Sequence, residues 1–147
     1  MNILFHIITK DKVAYVTENA TLRQVMEKME YHRYTAVPVI SDEGKYIGVL
    51  REGDILWYLK NHQEIGFDIS NAENLNSLAE AIKINELPRK KDHKSVSIDA
   101  NMDELIELAI NQNFIPIIDD LKNFIGIITR KSIIQELTKK GKNNKKQ

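Results

Sequence analysis

The apolar and polar positions of the chain follow the same order twice. A short apolar run, Ala36–Ile40, is followed by five mostly polar residues, a second apolar run and then apolar residues three and four positions apart. In the second copy, Pro116 corresponds to Pro38, and Gly126 corresponds to Gly48 without any gap between them. Short runs rich in β-branched residues predict strands, and the later spacing predicts an amphipathic helix. Each copy therefore predicts a β-hairpin followed directly by a helix.

A further strand and helix are predicted before each hairpin. Thr21 and Gln24 have the form of a capping box, in which each side chain bonds the other residue's backbone N–H. The apolar stripe of a helix with one buried face follows, at Leu22, Val25, Met26 and Met29. The second copy has Asn101 in the cap position that Thr21 has in the first, and it is slightly shorter between this helix and its hairpin. Apolar segments near Val13–Val16 and Ser95–Ile98 predict short strands before these helices. The pattern predicts an α/β fold of two β-α-β-β-α repeats.

The repeats set the predicted boundaries along the chain. They are 1–62 for the first repeat with its amino-terminal arm, 63–83 for a helical linker, 84–138 for the second repeat and 139–147 for a basic disordered tail. Neither repeat is large enough to be stable alone, because small domains bury too little of their surface. We therefore expect the repeats to pack as a pseudo-twofold pair.

Composition favours a globular protein of the cytoplasm. Hydrophobic residues make up 42% and charged residues 29% of the chain, and there is no cysteine. No apolar run approaches the ~20 residues that span a bilayer, and the first residues do not resemble a secretory signal. We therefore expect no membrane as partner. We also expect no nucleic acid, because the chain without its last ten residues has 16 basic against 21 acidic residues. Those last ten residues hold five Lys and no acid. Such a tail can dock on acidic surfaces, but we favour a solvated end.

Sequence motifs for catalysis are absent. The four histidines are scattered at positions 6, 32, 62 and 93, without the spacing of a metal site. No glycine-rich phosphate loop and no Gly-x-Ser-x-Gly turn occurs. We therefore expect no enzyme activity, no metal and no cofactor.

The two copies resemble a known family in specific segments. These are Tyr34-Thr-Ala-Val-Pro-Val-Ile40 with Gly48-Val-Leu-Arg-Glu-Gly-Asp-Ile55, and Ile115-Pro-Ile-Ile118 with Gly126-Ile-Ile-Thr-Arg-Lys-Ser-Ile133. From Asp11 to Leu137 the chain resembles tandem CBS domains paired in a Bateman module. In finer features it resembles the small stand-alone CBS proteins of Gram-positive bacteria that bind cyclic di-AMP.

The resemblance implies a first nucleotide site that takes residues from both repeats. In the family, adenine lies between the first two strands of one repeat, and a Gly-x-x-Thr-x-x-Asp motif of the other repeat holds phosphate and ribose. The residues carried over are Lys12, Val13, Ala14, Tyr34, Thr35, Ala36 and Pro38 from the first repeat, with Thr129, Arg130, Lys131 and Ser132 from the second. Ser132 stands where the motif has Asp.

The residues at the phosphate end support this role on their own chemistry. Thr129 begins a predicted helix, whose free N–H groups and dipole favour an anion, and Arg130 and Lys131 add positive charge. Plainer interpretations exist, with Thr129 as a simple N-cap and the two cations as surface charges. Because the segment lies in a repeat, we favour the nucleotide role.

The same resemblance implies a possible second site. It takes Lys94, Ser95, Phe114, Ile115 and Pro116 from the second repeat, with Arg51 and Asp54 from the first. Arg51 replaces the motif's Thr, and Glu52 brings negative charge to the phosphate end, so we expect this site to be weaker or empty. Asp54 either binds ribose or only stabilises its helix start.

The predicted function is a non-catalytic adenine-nucleotide sensor, with cyclic di-AMP ranked before AMP or ATP. The nucleotide is a regulatory ligand that changes the affinity for an unidentified partner protein. A ligand-independent scaffolding module is the alternative. We also expect a homodimer, formed through the second helices that carry Ile55, Trp57 and Ile133.

Overall fold

The fold alternates strands and helices in the predicted order. A computed structural model of the chain describes residues 3–61, 72–89 and 93–145. Within these ranges there are seven β-strands and five α-helices. The strands are β1 (Ile8–Thr9), β2 (Val16–Thr17), β3 (Ala36–Ile40), β4 (Tyr46–Arg51), β5 (Val96–Ser97), β6 (Phe114–Ile118) and β7 (Phe124–Thr129). The helices are α1 (Leu22–His32), α2 (Glu52–Asn61), α3 (Ala72–Ala81), α4 (Met102–Ala109) and α5 (Arg130–Lys145). The two-repeat α/β fold is confirmed.

The chain divides into two compact units. The continuous unit is Ala14–Asp92, and the discontinuous unit combines Met1–Val13 with His93–Gln147. The continuous unit contains a three-stranded sheet in the order β2-β3-β4, and the discontinuous unit a four-stranded sheet in the order β1-β7-β6-β5. In both sheets the short first strand of the repeat runs parallel to its neighbour and the hairpin is antiparallel.

The two hairpins share their register. Ala36 lies opposite Arg51, and Phe114 lies opposite Thr129, so the last residue of each hairpin is next to the first. The turns also match, because Gly44 has φ 87° and Lys122, at the corresponding position, has φ 66°. Glycine adopts this left-handed conformation without the steric penalty that other residues meet.

The amino-terminal arm, residues 3–13, joins the second repeat and not the first repeat that it precedes. Strand β1 pairs antiparallel with β7, with Ile8 opposite Ile127 and Thr9 opposite Gly126. A Cβ atom on Gly126 would lie 2.2 Å from the carbonyl oxygen of Ile8. The arm thus covers an edge of β7 whose backbone groups would otherwise lack ladder partners. This placement differs from the predicted grouping of 1–62, because pairing at a sheet edge does not depend on sequence adjacency.

The segment before the second repeat packs on the first repeat. Ala79, Ile82, Ile84 and Leu87 belong to one buried cluster with Leu22, Val25 and Met29 of α1. In the discontinuous unit, Ile3 of the arm is buried with Leu105, Ile115 and Ile133. Ile3 and Ile84 both lie in short 3₁₀ turns and are both 2% exposed. The segments that lead into the two repeats are therefore alike in local structure and in burial.

Two local predictions are wrong. The residues from 139 onward, predicted to be disordered, continue helix α5 to Lys145. Lysine is a good helix former, and lysines near a helix carboxyl end are favoured by the dipole. The strand predicted at Val13–Val16 is confined to Val16–Thr17, because pairing with Val39 and Ile40 begins only at Val16.

None of the helices in the described ranges is both long enough and apolar enough to cross a membrane.

Candidate functional site

The junction between β7 and α5 contains the predicted phosphate-binding residues. The backbone N–H of Ser132 donates to Thr129 Oγ1 at 3.1 Å, and the two hydroxyl oxygens lie 3.0 Å apart. The N–H of Arg130 donates to the carbonyl oxygen of Asn113 at 2.9 Å. Thr129 is therefore the N-cap of α5, as its plainer interpretation predicts.

Two cations occupy the first turn of α5, and no acid accompanies them. Lys131 is exposed, whereas Arg130 is half-buried and its Nε donates to the carbonyl oxygen of Ala109 at 2.7 Å. Ala109 is in the last turn of α4, where a guanidinium is favoured by the dipole. At the start of α5 the dipole disfavours both charges. A bound anion would remove this repulsion.

The corresponding junction between β4 and α2 carries the opposite charge. Glu52 and Asp54 lie in the first turn of α2. Asp54 is 8% exposed, and its Oδ2 accepts the N–H of Arg51 at 3.0 Å. The N–H of Glu52 donates to the carbonyl oxygen of Thr35 at 3.0 Å, which matches the bond made by Arg130. The chain's own carboxylates already compensate the dipole here, so a phosphate would meet repulsion.

The predicted adenine-side residues of the first site fall in both units. Lys12 and Val13 are in the discontinuous unit, and the remainder, from Ala14 to Pro38, are in the continuous unit. Tyr34 is 37% exposed, and its ring stacks on His32 with the centroids 5.1 Å apart. Thr35 is exposed, Ala36 is half-buried, and Pro38 is buried in β3.

Lys12 is exposed and lies in a 3₁₀ turn beside Asp11. A hydrogen bond from the Thr9 hydroxyl, with a smaller contribution from the charge of Lys12, lowers the pKa of Asp11. Asp11 therefore stays negative at neutral pH, and the turn presents a neighbouring pair of opposite charges.

Several residues predicted for the second slot are buried or bond other side chains of the same unit. Phe114 is 8% exposed and packs on His93, with the ring centroids 4.7 Å apart, and Ile115 belongs to the core. Ser95 is half-buried and Pro116 is buried. The backbone N–H and C=O of Lys94 both bond the side chain of Gln112.

Sequence reasoning missed His93 and Gln112. The available signal for Gln112 was its alignment with Tyr34 when Pro116 is matched to Pro38, which places an amide where the first repeat has an aromatic ring.

A groove of about 750 Å³ lies between α1 and α2 of the continuous unit. It has mainly apolar walls with Glu30, Arg33 and Glu52 among its charged residues. The remaining lining residues are Met26, Met29, Tyr34, Ile55, Leu56 and Leu59. Of the described residues that the sequence analysis places at the nucleotide sites, Tyr34 and Glu52 line this groove. Most of the groove is therefore made by residues without a predicted role in nucleotide binding.

The exposed apolar residues of α2 and α5 differ from those predicted for self-association. Ile55 and Ile133 are 8% and 3% exposed and belong to the cores of their own units. Leu56 and Trp57 of α2 are 65% and 48% exposed, and Ile134 and Leu137 of α5 are 55% and 41% exposed. Trp57 is exposed, as an interface role requires, whereas Ile55 and Ile133 are buried, because helical spacing turns the isoleucines toward the sheet. Self-association itself stays a prediction.

Among the described residues, no group of three His, Cys, Asp or Glu side chains is arranged to hold a metal ion.

Comparisons with known proteins identify the repeats. The CBS domain profile matches residues 6–61 and 84–139. The uncharacterized protein MJ1426 of Methanocaldococcus jannaschii is 24% identical over 145 residues, which covers 86% of each chain. CbpB in complex with c-di-AMP superposes with a TM-score of 0.77 and 24% identity, covering 95% of this chain and 85% of that chain. CBSX2 in complex with AMP gives a TM-score of 0.67 and 17% identity, covering 94% and 96%. At these identities the structural likenesses show the fold alone.

Proposed function

The chain belongs to the CBS-domain family, with two CBS domains in tandem, and we propose that it is a non-catalytic sensor of adenine nucleotides. Cyclic di-AMP is the first choice of ligand, and AMP or ATP the second. The nucleotide acts as a regulatory ligand and is not consumed. Its binding changes the affinity of the chain for a partner protein.

The observation that carries this proposal is the charge at the start of α5. Arg130 and Lys131 directly follow the hydroxyl of Thr129 in the first turn of α5, where the dipole of that helix disfavours positive charge. The carboxyl end of α4 partly compensates Arg130, but the exposed charge of Lys131 costs about 0.3–1 kcal/mol of helix stability. Charge-assisted hydrogen bonds to a phosphate would more than offset that loss.

The choice of ligand rests on the relatives and on charge. CbpB binds c-di-AMP and CBSX2 binds AMP in their solved structures. Two cations and a hydroxyl at one helix start exceed what a single exposed monophosphate needs. A ligand with two phosphates and two adenines can bond more of these groups than a monophosphate can. We therefore rank cyclic di-AMP first.

Competition binding on the purified full chain tests the proposal. We expect cyclic di-AMP to bind in the micromolar range or tighter and to be displaced by AMP or ATP only at roughly tenfold or greater excess. If AMP displaces it at equal concentration, the ranking is wrong. If none of the three binds at millimolar concentration, the chain is not an adenine-nucleotide sensor.

Ligand-independent scaffolding is the second candidate, and one observation favours it. Thr129 Oγ1 already accepts a helix N–H, and Arg130 Nε already bonds Ala109. Both groups thus have structural roles without a ligand. Affinity for a captured partner that does not change with any adenine nucleotide would support this candidate.

Self-association is part of the proposal. Leu56 and Trp57 on α2 remain exposed after the core of the continuous unit is filled, and Ile134 and Leu137 on α5 remain exposed in the discontinuous unit. Exposed apolar residues on a helix face are typical of interaction sites. Light scattering is expected to show a dimer at micromolar concentration, which the change Leu56→Lys weakens. Glu43→Lys, at an exposed position of the first hairpin turn, is the control. A monomeric wild type at all accessible concentrations contradicts this part.

A further inference from the structure

Gln112 occupies a buried position between α4 and β6 and makes three hydrogen bonds. Its side chain is 8% exposed. Oε1 accepts the backbone N–H of Lys94 at 2.9 Å, and Nε2 donates to the carbonyl oxygen of Lys94 at 3.1 Å. Nε2 also donates to the carbonyl oxygen of Phe114 at 3.3 Å. The carboxamide therefore uses its oxygen and both amino hydrogens.

The two bonds to Lys94 form a donor–acceptor pair that an adenine edge can reproduce. A carboxamide presents an acceptor and an amino donor attached to the same carbon atom. Adenine presents N1 as acceptor and the N6 amino group as donor, also attached to one carbon. Both can pair with the N–H and C=O of a single residue in an extended segment. In Lys94, two positions before β5, both backbone groups bond the Gln112 side chain.

The first repeat differs at both positions. Tyr34 corresponds to Gln112 when Pro38 is matched to Pro116, and Ala14 corresponds to Lys94 when Val16 is matched to Val96. A phenol has one oxygen and cannot replace the carboxamide pair. Tyr34 is 37% exposed, which leaves its ring partly available for stacking on a base.

From this contrast we propose that the Gln112 carboxamide takes the place of an adenine edge beside Lys94. The side chain thereby closes the adenine slot of the second repeat. The inference rests on the proposed nucleotide binding and extends it from ligand class to site number. Buried backbone groups need hydrogen-bond partners. The Gln112 side chain provides these partners for the backbone of Lys94 and is part of the chain itself. A free adenine base can therefore bind there only if it displaces the carboxamide. The chain consequently binds adenine at one of its two corresponding slots.

Opening the slot provides the test. Gln112→Ala removes the substitute, and Gln112→Tyr installs the residue of the first repeat. Asn111→Ala, at the exposed neighbouring position, is the control. Hydrogen–deuterium exchange of the Lys94 amide is measured in the full chain with and without saturating AMP, and calorimetry counts the AMP sites per chain. Ribose 5-phosphate, which lacks the base, is the ligand control.

In the wild type and in Asn111→Ala, AMP should leave Lys94 exchange unchanged. In either folded Gln112 variant the amide should exchange at least tenfold faster without ligand. AMP, but not ribose 5-phosphate, should slow it again, and the site count should rise by one. A merely structural glutamine would give the faster exchange without the rescue by AMP.

The outcomes separate this inference from the proposed function. If the wild type binds AMP and neither variant shows AMP-dependent protection at Lys94, the inference is overturned and nucleotide sensing stands. If the wild type binds none of cyclic di-AMP, AMP and ATP but a variant gains AMP-dependent protection at Lys94, sensing by the native chain fails and the closed slot stands. Absence of AMP binding in every variant overturns the inference, and absence of cyclic di-AMP and ATP binding to the wild type as well overturns the proposed function.

Discussion

The helix that follows the hairpin starts with opposite charges in the two units. In the continuous unit, Glu52 and Asp54 lie in the first turn of α2, and Asp54 accepts a backbone N–H. In the discontinuous unit, Arg130 and Lys131 lie in the first turn of α5. The dipole of α2 is compensated by acids of the chain itself, whereas the first turn of α5 holds two cations and no acid.

The residues that cap the helix after each hairpin also differ between the two repeats. The motif Gly-x-x-Thr-x-x-Asp can supply both halves of a reciprocal cap, one from Thr and one from Asp. The first repeat keeps only Asp54, which bonds the N–H of Arg51, and the second keeps only Thr129, which bonds the N–H of Ser132. Each half suffices to start a helix. The two repeats therefore preserve a common structure while their phosphate ends diverge.

Substitution of glycines in the two units is expected to produce the largest contrast. Gly126→Ala places a Cβ against the carbonyl oxygen of Ile8, so β1 must shift from β7. We expect a loss of about 2–3 kcal/mol in the free energy of unfolding, measured by urea denaturation. Gly53→Ala, in the first turn of α2 with no atom within 4 Å of its Cβ, should instead gain about 0.5–1 kcal/mol. An unchanged midpoint for Gly126→Ala would show that the arm does not pack there.

Removal of the two arginines should affect nucleotide binding unequally. Arg130→Ala is expected to weaken cyclic di-AMP binding by about ten- to a hundredfold, since each charge-assisted phosphate bond contributes ~1.5–3 kcal/mol. Arg51→Ala, at the acidic junction, should change affinity much less. Calorimetric titration measures both.

Arg130→Ala also removes the bond to Ala109, so the melting temperature of this variant must be measured alongside its affinity. Lys131→Ala removes an exposed charge from the same turn, and Lys139→Ala removes one from the exposed surface farther along α5. Weaker binding in Lys131→Ala with unchanged binding in Lys139→Ala would locate the phosphate at the helix start. Equal effects would indicate general electrostatic attraction instead.

The smallest contrast concerns the hairpin turns. Lys122 has the left-handed conformation that Gly44 has in the other turn. Lys122→Gly should therefore raise the free energy of unfolding by about 0.5–1 kcal/mol, and Gly44→Ala should lower it by about 1 kcal/mol. Thermal unfolding of both variants checks the signs. A loss for Lys122→Gly would show that the lysine side chain contributes more than the backbone conformation costs.

The elements with strong local signals were predictable. Strands β3 and β6 have the bounds that their apolar runs indicate, and the capping box of Thr21 with Gln24 is present in both directions. Short elements were not predictable, because β1 contains two residues and its pairing depends on the free edge of β7. The end of α5 was missed because a lysine-rich segment is compatible with either a helix or a solvated coil.

The candidate sites were predictable in residue type and less so in contacts. Charge and position indicated Arg130 from the sequence, but its bond to Ala109 depends on the packing of α4 against α5. The role of Gln112 depends on the backbone of Lys94, 18 residues away. Because these partners are backbone groups, the amino-acid pattern does not indicate them, and only the structure shows the contact.

The placement of the amino-terminal arm affects the order in which the strands can pair during synthesis. The strands of the continuous unit, β2, β3 and β4, pair with one another within one uninterrupted segment of the chain. Strand β1 must wait, because Ile8 pairs with Ile127 and almost the whole sequence is synthesised between them. The residues of β1 therefore have no strand partner until β7 has been made, and during that interval β1 itself is open to pairing with another chain.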